Sequence, residues 1–361
     1  MNKKSGLPAI SIVSIVATCI SSLAFASSFG GATGSATVDN KALIASNGDN
    51  EYQYNAALLV VDPNDGYKYI GNQIVGPEGG SRSPWTDMIT RGLNEEGLAY
   101  TWTYVAPDNI EPDSGEAFGI TFEQFGRMVL SQAATVEEAI ELVDEYPRAY
   151  HGNFLFADAS GTMAMLEIST KSYEVIFQGD DGTIGRANSW LSPEMQRLSE
   201  ASDDMSDSGW RQNRWDELLE ANSGSITEQT MMRMASDYEG ALEHGWSIES
   251  HRCDPETTVC RSASTSSEVI SPSDGTFWWN WGWGSGRQPR FPEQQGIHDR
   301  SWGVYVPFKL SALKPGEYVT KDSRLTPLAI RYIMNHFEIS TPTMEIDSIK
   351  GQSEETWVRT Q

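Results

Sequence analysis

A serine at the free N-terminus of a chain carries two reactive groups at once. Its hydroxyl is a nucleophile and its own α-amine is a base. An α-amine titrates at about 7.7–8.0, against about 10.4 for a lysine, so it can accept a proton near neutral pH. Ser27 is placed to become such a residue. Ala24 and Ala26 form a small-x-small cleavage site at the end of an apolar segment, and cleavage after Ala26 would leave Ser27 first. Ala26 and Ser28 are the alternative first residues if cleavage slips by one. The Gly-, Ser- and Thr-rich stretch that starts at Ser27 runs on to a carboxylate, Asp49. The sequence around Asp49, Asn47-Gly48-Asp49-Asn50, also reads as a turn.

The leader has the parts that export requires. Lys3 and Lys4 are basic, and residues 7–20 are apolar but broken by Ser11, Ser14 and Thr18, too short for a comfortable transmembrane helix. Residues 1–26 are expected to be a signal peptide and the mature chain to be exported, periplasmic or secreted. Lipid attachment at Cys19 is the alternative, and it would leave Ser27 internal. The remaining cysteines, Cys253 and Cys260, have six residues between them; in an oxidising compartment a disulfide closing that loop is expected.

Composition narrows the function classes. With 50 acidic and 26 basic residues the net charge is −24, which argues against nucleic acid and, once the leader is gone, against anionic membranes as partners. The five histidines show no metal-ligand spacing, and no phosphate loop or nucleotide fingerprint occurs. His151 reads as structural or exposed. At 361 residues the chain could form one domain or two. No linker or repeat divides it, so residues 27–361 read as a single domain with a polar C-terminal tail.

The elements come in blocks. Strands are predicted from 27 to 75, with a Pro-Asn-Gly turn at 62–66, and again after a tight turn at 92–98 that leads into an aromatic, Thr-rich strand over 99–105. Apolar spacing predicts a helix over 121–133, and Thr135 opens another with a capping-box pattern that Pro147 ends. A hairpin follows over 154–168, then strands near 173–177 and 184–188, helices over 211–221 and 227–238, strands over 262–283, and a helix over 326–336. Strands first, then helices, then strands and helices again suit an antiparallel α+β protein better than βαβ alternation. Trp278, Trp279, Trp281 and Trp283 are expected to pack together.

Five stretches resemble one family in its order: 34–37 with Asp49, 92–98, 153–168, 186–195 and 208–211. The chain resembles the N-terminal-nucleophile hydrolases of the acyl-coenzyme A:isopenicillin N acyltransferase-like group. More distantly it is similar to bile-salt hydrolases, penicillin V acylases and secreted dipeptidases. The resemblance implies a four-layer αββα sandwich of two stacked antiparallel sheets. It implies Ser27 as nucleophile in place of the usual cysteine, and the 22-residue interval to Asp49 fits the family's acidic residue, which would orient the amine. It makes the Asn188 amide an oxyanion donor, with a backbone N–H near Tyr104 as the second. Arg211 would sit beside the nucleophile; Arg214 is the alternative. An arginine often stands where this chain has Ser46.

The activity so implied is cleavage of a linear amide through an acyl-enzyme on Ser27, with no cofactor and no metal, on a small N-acyl or peptide substrate. Acyl transfer to an amine and dipeptidase action are close alternatives. A non-catalytic descendant that binds ligand, with the tryptophan cluster as its surface, is the rival from another class.

Overall fold

Alternation of side chains along the strands separates three apolar layers. The computed structural model describes residues 27–49, 55–75, 86–105, 118–199, 206–237, 264–280, 304–320, 325–337 and 358–359. The leader, Cys19, Cys253, Cys260, Trp281, Trp283 and most of the tail lie outside them.

Among the described residues, seven strands form the first sheet. β1 (Ser28–Gly34), β2 (Asn40–Asp49), β12 (Gly182–Arg186), β13 (Ser264–Ser271), β14 (Thr276–Asn280), β15 (Val304–Lys309) and β17 (Val358–Arg359) pair in the order β12-β1-β2-β13-β14-β15-β17. Eight form the second: β3 (Asn55–Val61), β4 (Tyr69–Val75), β5 (Ile89–Asn94), β6 (Ala99–Thr103), β9 (Gly152–Ala157), β10 (Met163–Ile168), β11 (Tyr173–Gly179) and β16 (Gly316–Val319), in the order β11-β10-β9-β6-β5-β4-β3-β16. Every pairing in both sheets is antiparallel. The short β7 (Ile120–Thr121) and β8 (Arg148–Ala149) pair in parallel apart from them.

The two large sheets face each other. Ala42 and Ile44 of β2, Ile270 of β13, Leu155 and Ala157 of β9 and Met163 and Met165 of β10 share one buried core. The alternate residues of the same strands point outward. Phe154, Phe156, Ala164 and Leu166 pack on α1 (Phe122–Gln132) and α2 (Val136–Glu145) through Phe125, Val129, Ala139 and Val143. Leu43, Ala45 and Val269 pack on α4 (Ser206–Asn222) and α5 (Glu228–Ala235) through Trp215, Leu219, Met231 and Met232. The result is the expected αββα sandwich. Both sheets are covered on both faces, which is why so many strands are buried along their whole length. α6 (Pro327–Phe337) adds Ala329, Tyr332 and Ile333 to the core between the sheets, and the one-turn α3 (Pro193–Gln196) follows β12.

Local chemistry fixes the helix ends. The full capping box falls at Thr121 and Gln124, where hydroxyl and amide oxygen each accept the other's backbone N–H. At Thr135 the box is broken: its hydroxyl accepts from Glu138 N at 3.2 Å, but the Glu138 carboxylate takes the N–H of Ala134 at 2.6 Å, one residue early. Each such cap contributes about 1 kcal/mol. The turn is shorter than the expected 92–98, since residues 92–94 belong to β5, and Asn94 closes it. Its oxygen accepts from Leu98 N at 2.8 Å, and its amide donates to the carbonyls of Leu130 and Ala133 at 3.0 and 2.7 Å, tying the β5–β6 hairpin to the end of α1.

The tryptophan expectation is corrected. Successive residues of a strand face opposite ways. Trp279 enters the core between the sheets and donates to Glu268 at 3.1 Å, whereas Trp278 is partly buried on the helix side. These two do not share a surface.

Candidate active site

Ser27 stands immediately before β1, and its position is fixed by the sheet. Ser28 pairs with Asn47 and Phe29 with Ser46. Phe29 points into the core between the sheets, and Gly31 faces Met163 and Leu155 there, while Gly30 faces Trp215 of α4. Continued by one residue, this alternation puts Ser27 on the inter-sheet side and Ser28 on the helix side. Both are buried, and among the described residues the Ser28 hydroxyl has no hydrogen-bond partner.

One guanidinium joins residues from distant parts of the chain. Arg211, on α4, is buried; its Nη1 donates to the Ser27 carbonyl at 2.7 Å and its Nη2 to the Asn188 Oδ1 at 2.9 Å. Asn188 Nδ2 in turn donates to the Tyr104 carbonyl at 2.6 Å. The amide orientation is fixed by its partners, since a guanidinium can only donate and a carbonyl can only accept. Ser27, Arg211, Asn188 and Tyr104 therefore form one hydrogen-bonded chain.

One N–H of the Asn188 amide is taken by the Tyr104 carbonyl. Tyr104 enters this chain as an acceptor through its carbonyl. Arg214 is engaged elsewhere: it holds Asp237 through Nε and Nη2, each at 2.9 Å, and these bonds raise its pKa against the burial that would lower it. Asp49 ends β2, is fully buried, and pairs across to Ser264.

The backbone around Asn188 is clamped by residues to which the sequence assigned no role. Asn153, on β9, donates to the carbonyls on either side of it, Ala187 at 2.8 Å and Ser189 at 3.1 Å. Thr103 donates to the Ala187 carbonyl at 2.6 Å. Ser208, on α4, accepts the Asn188 N–H at 2.8 Å. Glu167, buried on β10, accepts from Leu191 N, Ser192 N and the Ser192 hydroxyl at 2.8, 3.0 and 2.8 Å, and lies 3.7 Å from Arg186. Asn153, Glu167 and Ser208 all lie in the stretches that carry the resemblance. The available signal was polar residues inside otherwise apolar or helical runs.

Arg91 was also missed. It lies on β5, in the other sheet, and its Nε reaches the Ser46 hydroxyl at 2.6 Å. A guanidinium thus occupies the neighbourhood of position 46, supplied from a different strand.

His151 is packed between the Tyr104 and Phe122 rings, at centroid distances of 5.2 and 5.0 Å. Among the described residues no group of three or more His, Cys, Asp or Glu is placed to hold a metal, and no helix is long and apolar enough to cross a membrane.

Residues 36–281, more than half of the chain, match the family model described as acyl-coenzyme A:6-aminopenicillanic acid acyl-transferase. Among solved structures the chain is similar to penicillin V acylase from Agrobacterium tumefaciens, with 15% identity and a TM-score of 0.44 over 70% of this chain and 82% of that one. It is also similar to a variant of conjugated bile acid hydrolase from Clostridium perfringens, with 13% identity and a TM-score of 0.47 over 83% of this chain and 99% of that one. No curated protein sequence matches the chain.

Proposed function

Since the chain belongs to the acyl-coenzyme A:6-aminopenicillanic acid acyl-transferase family of N-terminal-nucleophile enzymes, we propose that it is an exported amidohydrolase that cleaves a linear carbon–nitrogen amide through an acyl-enzyme on Ser27. The observation that carries this reading is the Arg211 guanidinium, which binds the Ser27 carbonyl and the Asn188 side chain at once.

After removal of residues 1–26 the Ser27 α-amine takes the proton of its own hydroxyl, and the oxygen attacks the substrate carbonyl. The cation of Arg211 beside the terminus disfavours the ammonium form and so keeps the base neutral. Asp49 orients the amine. Negative charge develops on the substrate oxygen, and the second N–H of the Asn188 amide, with a backbone N–H near Tyr104, stabilises it. The amine passes its proton to the leaving nitrogen, the C–N bond breaks, and water then hydrolyses the ester on Ser27. An amine in place of water gives acyl transfer from the same intermediate. The substrate is a small N-acyl compound or peptide.

N-terminal sequencing of the purified exported protein should begin at Ser27. Wild type should turn over at least one member of a panel of N-acyl amino acids, acylated homoserine lactones and short peptides, and Ser27→Ala should lower kcat by about 10³-fold or more. A different first residue removes the nucleophile. Ligand binding without turnover in the wild type favours the non-catalytic descendant.

A further inference from the structure

A cation is buried between the two sheets, under the strand ends that carry the site, and the reaction above gives it no part. Arg91 lies in the middle of β5 and is 1% exposed. Besides the Ser46 bond, its Nη1 donates to the Thr90 hydroxyl at 2.8 Å. Its Nη2 donates to two carbonyls, Asn47 at 2.9 Å and Trp102 at 3.4 Å.

Those two carbonyls belong to different sheets. Asn47 is on β2, two residues before Asp49. Trp102 is on β6, two residues before Tyr104, whose carbonyl holds the Asn188 amide. Gly48 falls opposite Ser27 when the β1–β2 register is extended by one residue, and a Cβ on Gly48 would stand 3.2 Å from Arg91 Nη1. The guanidinium therefore lies against the backbone that faces Ser27.

The charge is balanced locally. Glu268 of β13 lies 3.4 Å from Arg91 Nε and is itself held by Asn72 at 2.5 Å and Trp279 at 3.1 Å. Burial draws the Arg91 pKa down, and Glu268, Asp49 and Tyr100 oppose that. Burial pushes the Glu268 carboxyl up, and Arg91 with the bonds from Ser266, Asn72 and Trp279 opposes that. With Ser46, Thr90 and two carbonyls as acceptors, this guanidinium is nearly saturated and is not built to bind substrate.

We propose that Arg91 is a positioning residue: its guanidinium clamps the Asp49 end of β2 to the Tyr104 end of β6, and so sets the separation of the two halves of the site. The clamp is a statement about this chain's own backbone; only its effect on turnover rests on the Ser27 reading. A planar fork can bond in several directions at once, whereas a lysine ammonium presents its donors from a single point. Lysine is therefore not expected to substitute.

Two variants test this in the full mature protein: Arg91→Lys, and the double variant Arg91→Gln/Glu268→Gln, which removes the Arg91–Glu268 pair together so that neither is left without the other. Hydrogen–deuterium exchange is followed by mass spectrometry in peptides containing residues 47–49 and 102–105, with β10 as control. Exchange should quicken about tenfold in both segments, in both variants, with β10 unchanged. On a substrate the wild type turns over, kcat should fall about 100-fold with KM little changed. Wild-type exchange in both segments of the double variant overturns the clamp, as does faster exchange spread equally over β10. Faster exchange in both segments with wild-type kcat overturns the positioning role. If the wild type cleaves no amide, the Ser27 reading fails, and the exchange measurement still decides the clamp.

Discussion

Asn188 is held before any substrate arrives. Its side chain spans Arg211 and Tyr104, its N–H is taken by Ser208, and the carbonyls before and after it are bonded to Asn153. A donor held this way needs no reorganisation when charge develops, which is what makes such donors effective. Asn188→Ala should therefore lower kcat by about 10²–10³-fold with a small change in KM, measured by steady-state kinetics on the best substrate of the panel. An equal rise in KM with unchanged kcat would place Asn188 in ordinary substrate binding. The sequence pointed to Ser27, Asn188 and Arg211 because each lies in a stretch with recognisable neighbours. Arg91 was not legible. Apart from the Thr90 hydroxyl beside it, its partners are distant in sequence: its acceptors Ser46, Asn47 and Trp102 and its counter-charge Glu268 come from three other strands. The one hint was a charged residue in the middle of each of two strands, Arg91 in β5 and Glu268 in β13, with opposite signs.

The elements that carry the site depend on close approach. α4 supplies Arg211 and Ser208, and its Trp215 lies close against β1 because Gly30 has no side chain; a Cβ there would stand 2.5 Å from the Trp215 ring. Trp215 is fully buried and cannot swing away. Gly30→Ala should push α4 off the sheet. The expected cost is about 1–3 kcal/mol in urea denaturation, with a loss of kcat among the folded molecules, because Arg211 moves with the helix. Unchanged stability and activity would show that α4 is not held by this contact. Helix and hairpin existence was largely legible. α1, α2, α6 and the β9–β10 hairpin appear where apolar spacing, capping residues and turn glycines put them. β15 and β16 were not anticipated. β15 carries Pro307 opposite Trp278, and β16 has only four residues, so neither shows a clear alternating run. α4 begins at Ser206, earlier than the apolar residues alone suggest, because its first turn is polar.

At the scale of the whole molecule, charge is the dominant surface property. A net charge of −24 repels itself in the compact state. Cations are outnumbered even in pairs: Lys41 lies within 2.5 to 3.8 Å of Glu228, Asp274 and Asp39 together. Surface pairs such as Arg197–Glu194, at 2.9 Å, contribute at most about 1 kcal/mol each, so their screening costs little. Raising NaCl from about 0.05 to about 0.5 M should therefore raise Tm by about a few degrees in a thermal melt, as the Debye length shrinks. A fall in Tm would mean that attractive pairs outweigh the repulsion.

The sequence by itself determined the class of structure and the chemical types at the site. Alternation, turn glycines and caps depend on near neighbours, and these settle which segments become strands and helices. The order of those segments pointed to an antiparallel layered α+β fold. The tertiary structure alone decided the partners. Which face each strand presents to which layer follows from the register of all fifteen large-sheet strands together. That register puts Trp278 and Trp279 on opposite sides, brings Arg211 to Ser27 across 184 residues, and seats Arg91 beneath both halves of the site. Hydrogen bonds between residues so far apart leave no local spacing in the chain, because their geometry is set by the packing of the sheets.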